Sequence, residues 1–145
     1  YREVTFETNG TQKIIDSFAD YMLLQQVSAT RTAPRYTFSV SPKLPCSGEK
    51  IADALKPDVV ADYMRYGEIY QKFVIGNKED PEHANQFVHD YELAGWKGDV
   101  YFMPVGGDPD LYNMTAPEVA GLAMYFGYKY SPRLQVDLWK NEWGT

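Results

Sequence analysis

The chain has 145 residues, 44% of them hydrophobic and 15% aromatic, a composition that supports one globular domain with a core of its own. A formal net charge of −6 and a pI of about 4.8 leave no Lys/Arg stripe for a nucleic-acid backbone or an anionic membrane surface, so a small-molecule ligand is expected. The single cysteine, Cys46, excludes an internal disulfide, and one Cys with two His cannot build a cysteine-ligated cluster or a structural zinc site. No apolar run is long enough to cross a bilayer and no signal-peptide pattern opens the chain, which makes the cytoplasm the expected compartment.

Short apolar runs alternate with helical periodicity along the chain. Val4 to Phe6 reads as a strand, and "TQKIIDSFADYMLLQQ" follows with Ile14, Ile15, Phe18, Tyr21 and Met22 at helical spacing. A second strand, "YTFSV" at 36–40, runs into "SPKL"; a helix in "KPDVVADYMRYG" is expected to stop at Gly67. The third strand, "IYQKFVI" at 69–75, is closed by "GNKEDP". The next helix has Asp80 as its N-cap, Pro81 in the first turn, an apolar face of Ala84, Phe87, Val88 and Tyr91, and Gly95 as its stop. "DVYFMPV" at 99–105 is the fourth strand and ends in "GGDPD". Thr115, with Glu118 three residues on, makes a capping box for a helix through "VAGLAMYFGY", and "RLQVDLW" at 133–139 reads as a last strand.

Strands separated by helices of this length make βαβ units and a parallel sheet, an α/β fold. In such sheets ligands bind at the carboxyl ends of the strands, which singles out "ETNG", "SPKL", "IGNKED" and "MPVGG". Gly, Pro and Asn are also ordinary turn residues. "GNKED" is read as such a turn, whereas for "SPK", a Ser and a Lys flanking a stiffening Pro, a turn and a ligand site are both open.

Taken in order, "VTFETNGT", "SVSPKL" with "SGE", "YQKFVI", "VYFMPVGG" and "YFGYKYSPRLQVDLWKNEWGT" resemble the C-terminal half of the 7-carboxy-7-deazaguanine synthases, radical S-adenosylmethionine enzymes of queuosine and deazapurine biosynthesis. The resemblance covers essentially all of residues 1–145 as one domain, the C-terminal part of an incomplete (β/α) barrel. It implies a carbon–nitrogen lyase acting on 6-carboxy-5,6,7,8-tetrahydropterin, with S-adenosyl-L-methionine, a 4Fe–4S cluster and Mg2+ as cofactors. Ligands for the cluster and Mg2+ are expected upstream of Tyr1, the cluster's on a cysteine triad, so that the piece alone is inactive. A reductant protein such as flavodoxin or ferredoxin, and a second copy in a homodimer, are the implied protein partners.

Residue by residue, the resemblance gives Ser41, Pro42 and Lys43 to S-adenosylmethionine, whose carboxylate and ribose suit an ammonium and a hydroxyl. Met103, Pro104, Val105 and Gly106 match the stretch after the last barrel strand that also lines this cofactor. Some relatives carry Gln or Asp where this chain has Met103 and Gly106, so the backbone contacts carry over rather than side-chain ones. Glu7 and Asn9 fall at the mouth near the reacting centre, and Thr145 with its carboxylate is implied as a substrate contact. Gln135 and Asp137 occupy the region where many relatives have a substrate-facing His, so that contact does not carry over. Two rivals remain: a related radical enzyme that activates a partner protein, and a non-catalytic α/β binding module. Trp96, Trp139 and Trp143 are read as packing, Cys46 as a small thiol without a nearby base, and "GGDPD" as a solvated turn.

Overall fold

A computed structural model of the chain describes residues 3–27, 33–106 and 114–139. Among the described residues five strands, β1 (Glu3–Thr8), β2 (Arg35–Val40), β3 (Glu68–Ile75), β4 (Val100–Pro104) and β5 (Lys129–Tyr130), form one sheet in the order β1-β2-β3-β4-β5 with every neighbouring pair parallel. A doubly wound sheet reverses its order once. This sheet never does, which is the arrangement of a stretch of a (β/α) barrel.

Parallel neighbours need crossovers, supplied by α1 (Asp16–Val27), α2 (Ile51–Ala54) with α3 (Pro57–Tyr63), α4 (Asp80–Leu93) and α5 (Ala116–Phe126); α6 (Leu134–Trp139) follows β5. All four crossovers lie on one face of the sheet. Phe6 of β1 meets Phe18 of α1 with ring centroids 5.6 Å apart, and Phe38 of β2 meets Tyr63 of α3 at 4.8 Å. Phe73 of β3 meets Phe87 of α4 at 6.4 Å, and Phe102 of β4 meets Phe126 of α5 at 5.9 Å. Because strand side chains alternate, the other face carries Thr5, Glu7, Thr37, Ser39, Tyr70, Lys72, Tyr101 and Met103. That face is polar.

The helix ends follow their sequence signals where the signals are strong. Thr115 and Glu118 form the reciprocal capping box at the start of α5. Gly95 ends α4 at φ +97°, and its N–H donates to the Glu92 carbonyl while that of Trp96 donates to Tyr91, the paired bonds of a Schellman motif. The buried Trp96 ring then packs edge-on against Tyr91, 6.4 Å between centroids, which supplies the apolar contact that motif usually carries.

Several boundaries depart from expectation. Residues 133–139 are not a strand: β5 is only Lys129–Tyr130, and Pro132, lacking an N–H, prevents the ladder from continuing beyond Ser131. Leu134 and Leu138, read as strand alternation, are four apart on α6. The first helix begins at Asp16 rather than near residue 11. Asp80 is the first residue of α4 and not its cap, which is Glu79. Gly67 is no left-handed stop but a close approach, since a Cβ there would lie 2.3 Å from the Tyr36 carbonyl oxygen. A 3-10 turn at Pro45–Ser47 and the four-residue α2 had no periodic signal. No helix among the described residues is long and apolar enough to cross a membrane.

Two glycine substitutions test these environments in opposite directions. Gly67→Ala must push β2 and β3 apart and should lower the unfolding free energy by about 1–3 kcal/mol, as overpacking does. Gly121→Ala, on α5 where an added Cβ meets nothing within 4 Å, should raise it by about 0.5–1 kcal/mol. Urea unfolding of the two variants beside the parent chain measures both.

Candidate functional site

The three central strands end side by side, and their exits build one cleft. Leaving β2, the Ser41 N–H donates to the Thr8 carbonyl at 2.7 Å and prolongs the ladder to β1 by one bond. Pro42 and Leu44 are then buried, which holds the loop down, while Ser41 is half-buried and Lys43 exposed. The Pro45–Ser47 turn, with Gly48 at φ +84° closing it, returns the chain toward α2.

The exit of β3 is a turn that caps itself. Asn77 Oδ1 accepts the N–H groups of Glu79 and Asp80, each at 2.9 Å, and Asp80 Oδ2 accepts those of Gly76 at 2.8 Å and Asn77 at 3.1 Å. Asp80 is fully buried, so its carboxylate replaces water for two N–H groups that the turn turns inward. A Cβ on Gly76 would come 2.8 Å from Val105 Cγ2, so any larger residue here would have to displace the Val105 side chain.

At the exit of β4 the Val105 N–H donates to Ile75 O at 3.3 Å. Arg133, just beyond β5, crosses back and donates from Nε to the Pro104 carbonyl at 3.0 Å. It lies directly on Gly106, where a Cβ would be 2.7 Å from Arg133 Cδ and 3.0 Å from Nη1.

The result is a cleft of about 420 Å³ lined by Ser41, Pro42, Lys43 and Leu44 from β2, by Val74, Gly76 and Asn77 from β3, by Val105 and Arg133 on the β4 side, and by Cys46 and Ser47. Its volume is that of a small-molecule site. Among the described residues the charged members of the lining are Lys43 and Arg133, with no Asp or Glu. Burial, and after it a hydrogen bond to the Asp80 carboxylate and that group's charge, push the Cys46 thiol up to about 11. The residue itself is exposed, and a raised thiol pKa leaves it mostly protonated at neutral pH.

Four of the residues singled out in the sequence, Ser41, Pro42, Lys43 and Val105, meet in this cleft. Met103 sits lower on β4, half-buried on the polar face; the Pro104 carbonyl and Gly106 form the seat of Arg133. Glu7 and Asn9 are not in the lining. Glu7 projects from β1 on the polar face with Lys72 Nζ 3.4 Å from its carboxylate. Asn9 Oδ1 accepts from the N–H and hydroxyl of Thr11, at 3.2 and 2.9 Å, inside the "TNGT" turn. Tyr63 fixes the following segment by donating its hydroxyl to the Gln12 carbonyl. Thr145, Trp143 and most of "GGDPD" lie outside the described residues, as do the side chains of Gln135, Asp137 and Trp139.

"GNKED" had been read as a turn only. It is a turn, yet Gly76 and Asn77 line the cleft, while Lys78 points to solvent. Arg133 and Lys72 received no role from the sequence. The strand-end rule would have found Arg133 had β5 been placed at Lys129–Tyr130.

No protein-family model matches the chain, and no solved structure matches it significantly. Two curated proteins do. The 7-carboxy-7-deazaguanine synthase of Pyrobaculum aerophilum is 28% identical over 74% of this chain and 45% of its own length. The 7-carboxy-7-deazaguanine synthase of Halobacterium salinarum is 33% identical over 94% of this chain and 54% of its own length. The chain thus spans about half the length of the curated relatives it matches.

The thiol offers a direct check on the cleft's electrostatics. The rate of Cys46 alkylation by iodoacetamide should climb with pH toward a midpoint near 11 and not near the ordinary 9.0. A plateau reached by pH 9 would mean that burial and Asp80 do not act on the thiol as described.

Proposed function

We propose, on the premise that the chain belongs to the 7-carboxy-7-deazaguanine synthase family over the half of its relatives' length that it spans, that it forms the ligand-lining part of a radical lyase. The reaction is the conversion of 6-carboxy-5,6,7,8-tetrahydropterin to 7-carboxy-7-deazaguanine in queuosine and deazapurine biosynthesis, in the cytoplasm. The observation that carries the reading is the meeting of the "SPK" loop with Val105 of the "MPVG" stretch in one cleft at the strand ends, where Lys43 and Arg133 are the charged residues described in the lining. Both stretches are the ones the family resemblance assigns to S-adenosylmethionine.

The chain's own residues suit that cofactor. Its carboxylate calls for a cation and its ribose for hydroxyl or carbonyl partners, and the cleft offers Lys43, Ser41 and Asn77. When reductively cleaved, S-adenosylmethionine supplies the radical that starts the ring rearrangement; the protein's task is to hold the reactants and exclude water. Buried Pro42 and Leu44 fix the height of the "SPK" loop, so that Lys43 has little loop entropy to lose on binding. Glu7, held by Lys72 at the strand mouth, is an acceptor for an amine or hydroxyl, and Asn9 shapes the turn beside it. On the β4 side Val105 lines the cleft, while the Pro104 carbonyl is taken by Arg133 and the Val105 N–H by Ile75.

The iron–sulfur cluster and Mg2+ do not find ligands here. One cysteine cannot replace three thiolates, and no three His, Cys, Asp or Glu side chains cluster among the described residues. No step of the chemistry is therefore assigned to this chain through either group.

Lys43→Ala in the full-length protein tests the assignment. Loss of one charge-assisted hydrogen bond costs about 1.5–3 kcal/mol, so affinity for S-adenosylmethionine should fall roughly tenfold or more. Lys78→Ala, one turn away and facing solvent, should leave it unchanged. Calorimetric titration of both variants decides the matter, and equal affinity for Lys43→Ala and the parent would reduce the "SPK" loop to a turn.

A further inference from the structure

The cleft has two cations but the assignment above uses one. Lys43 stands at the end of β2, and Arg133 stands across the cleft on the β4 side. The two are not equivalent. Lys43 is exposed on a loop, whereas Arg133 is half-buried with its Nε fixed on the Pro104 carbonyl at 3.0 Å and its stem and Nη1 laid against Gly106. A guanidinium anchored through Nε has its orientation set, and its terminal nitrogens present the planar fork that matches a carboxylate in two parallel bonds.

The surroundings select the ligand's charge. The chain carries 20 acidic against 14 basic residues, yet no Asp or Glu lines the cleft among the described residues. Neither Lys43 nor Arg133 belongs to an ion pair within 4.0 Å among the described residues. Asp80, the acid of the β3 exit, is fully buried with Oδ2 engaged by the Gly76 and Asn77 N–H groups, and it meets the lining at Cys46. A half-buried cation with no ion-pair partner among the described residues suits an external anion.

We propose that Arg133 is the second carboxylate-binding residue of the cleft, taking the acid group of the substrate while Lys43 takes that of S-adenosylmethionine. The inference rests on the functional reading above and deepens it, because it makes the 6-carboxylate of the pterin the group that is recognised on the β4 side. Gly106 is then glycine so that the guanidinium can lie flat on the backbone.

Binding without turnover tests it. In the full-length protein with S-adenosylmethionine present, the affinities of pterin-6-carboxylate and of unsubstituted pterin are measured by pterin fluorescence, for the parent, Arg133→Met and Arg133→Lys. The parent should prefer the acid by tenfold or more; Arg133→Met should bind the two within twofold of each other, and Arg133→Lys should fall between. Affinity for S-adenosylmethionine should stay within twofold throughout. A parent that binds both pterins equally overturns the inference and leaves the functional reading standing, and needs no folded variant to show it. An acid preference that survives in Arg133→Met, or a loss of S-adenosylmethionine affinity in its place, also overturns the inference. A parent that binds neither pterin overturns the functional reading, and the inference with it.

Discussion

Five parallel strands laid side by side in chain order force their helices onto one face, and the rest of the molecule follows from that asymmetry. The covered face must be apolar: Phe6, Phe38, Phe73 and Phe102 each pack against a ring from their own helix, and burial of a side chain of this size stabilises by about 1.5–3 kcal/mol. The opposite face is relieved of that demand. It carries Thr, Ser, Tyr and the Glu7–Lys72 pair, residues whose hydroxyls and charges need partners that a helix would not offer. Ser39 marks the transition between the two regimes. Its hydroxyl is fully buried on the polar side and has no hydrogen-bond partner among the described residues, an arrangement that costs free energy unless a further group completes it.

The same winding brings the exits of β2, β3 and β4 to one end in register, but register alone would leave three independent loops. Close backbone approaches tie them together. Gly10, at φ +76°, is pressed against Val40 Cγ1 at the end of β2; Gly76 is pressed against Val105; Gly106 lies under Arg133. At each of these positions an added Cβ would come within 3.0 Å of a neighbouring side chain, which would have to shift. The cleft is therefore set by what is missing at three glycines as much as by the residues that line it, and the Arg133–Pro104 bond closes the ring from the far side.

What could be read from the sequence sorts by how local its cause is. The α4 stop at Gly95, the capping box at Thr115 and the four long strands each depend on residues within a few positions of one another, and each was legible. "SPK" was legible as a candidate because a strand end is a place the fold marks. The failures have distant causes. Leu134, Val136 and Leu138 alternate like a strand, and only the two-residue pairing of β5 with β4, followed by Pro132, shows that no ladder is available to them. Asp80 has the chemistry of a cap, but Gly76 and Asn77 compete for its carboxylate and win it. Gln71, inside the strand "IYQKFVI", looks like a polar-face residue, yet it is fully buried on the helix side with neither amide atom partnered among the described residues. Nothing in the local pattern announces that cost.

Charge acts at two ranges in this molecule, and the two select differently. A net charge of −6 sets the field outside, where a polyanion approaching along its length meets many acids at once. Fields from exposed charges fade over about 10 Å at ordinary ionic strength, so a small ligand that has entered a cleft responds mainly to what lines it. Here the lining is Lys43 and Arg133 with the nearby carboxylate turned inward on its own N–H groups. A net negative charge outside and two cations among the described lining residues thus favour different classes of anion, and the composition that speaks against a polyanion says nothing against a small carboxylate. The local field is geometric in origin: it depends on Asp80 being buried rather than on the balance of charges along the chain.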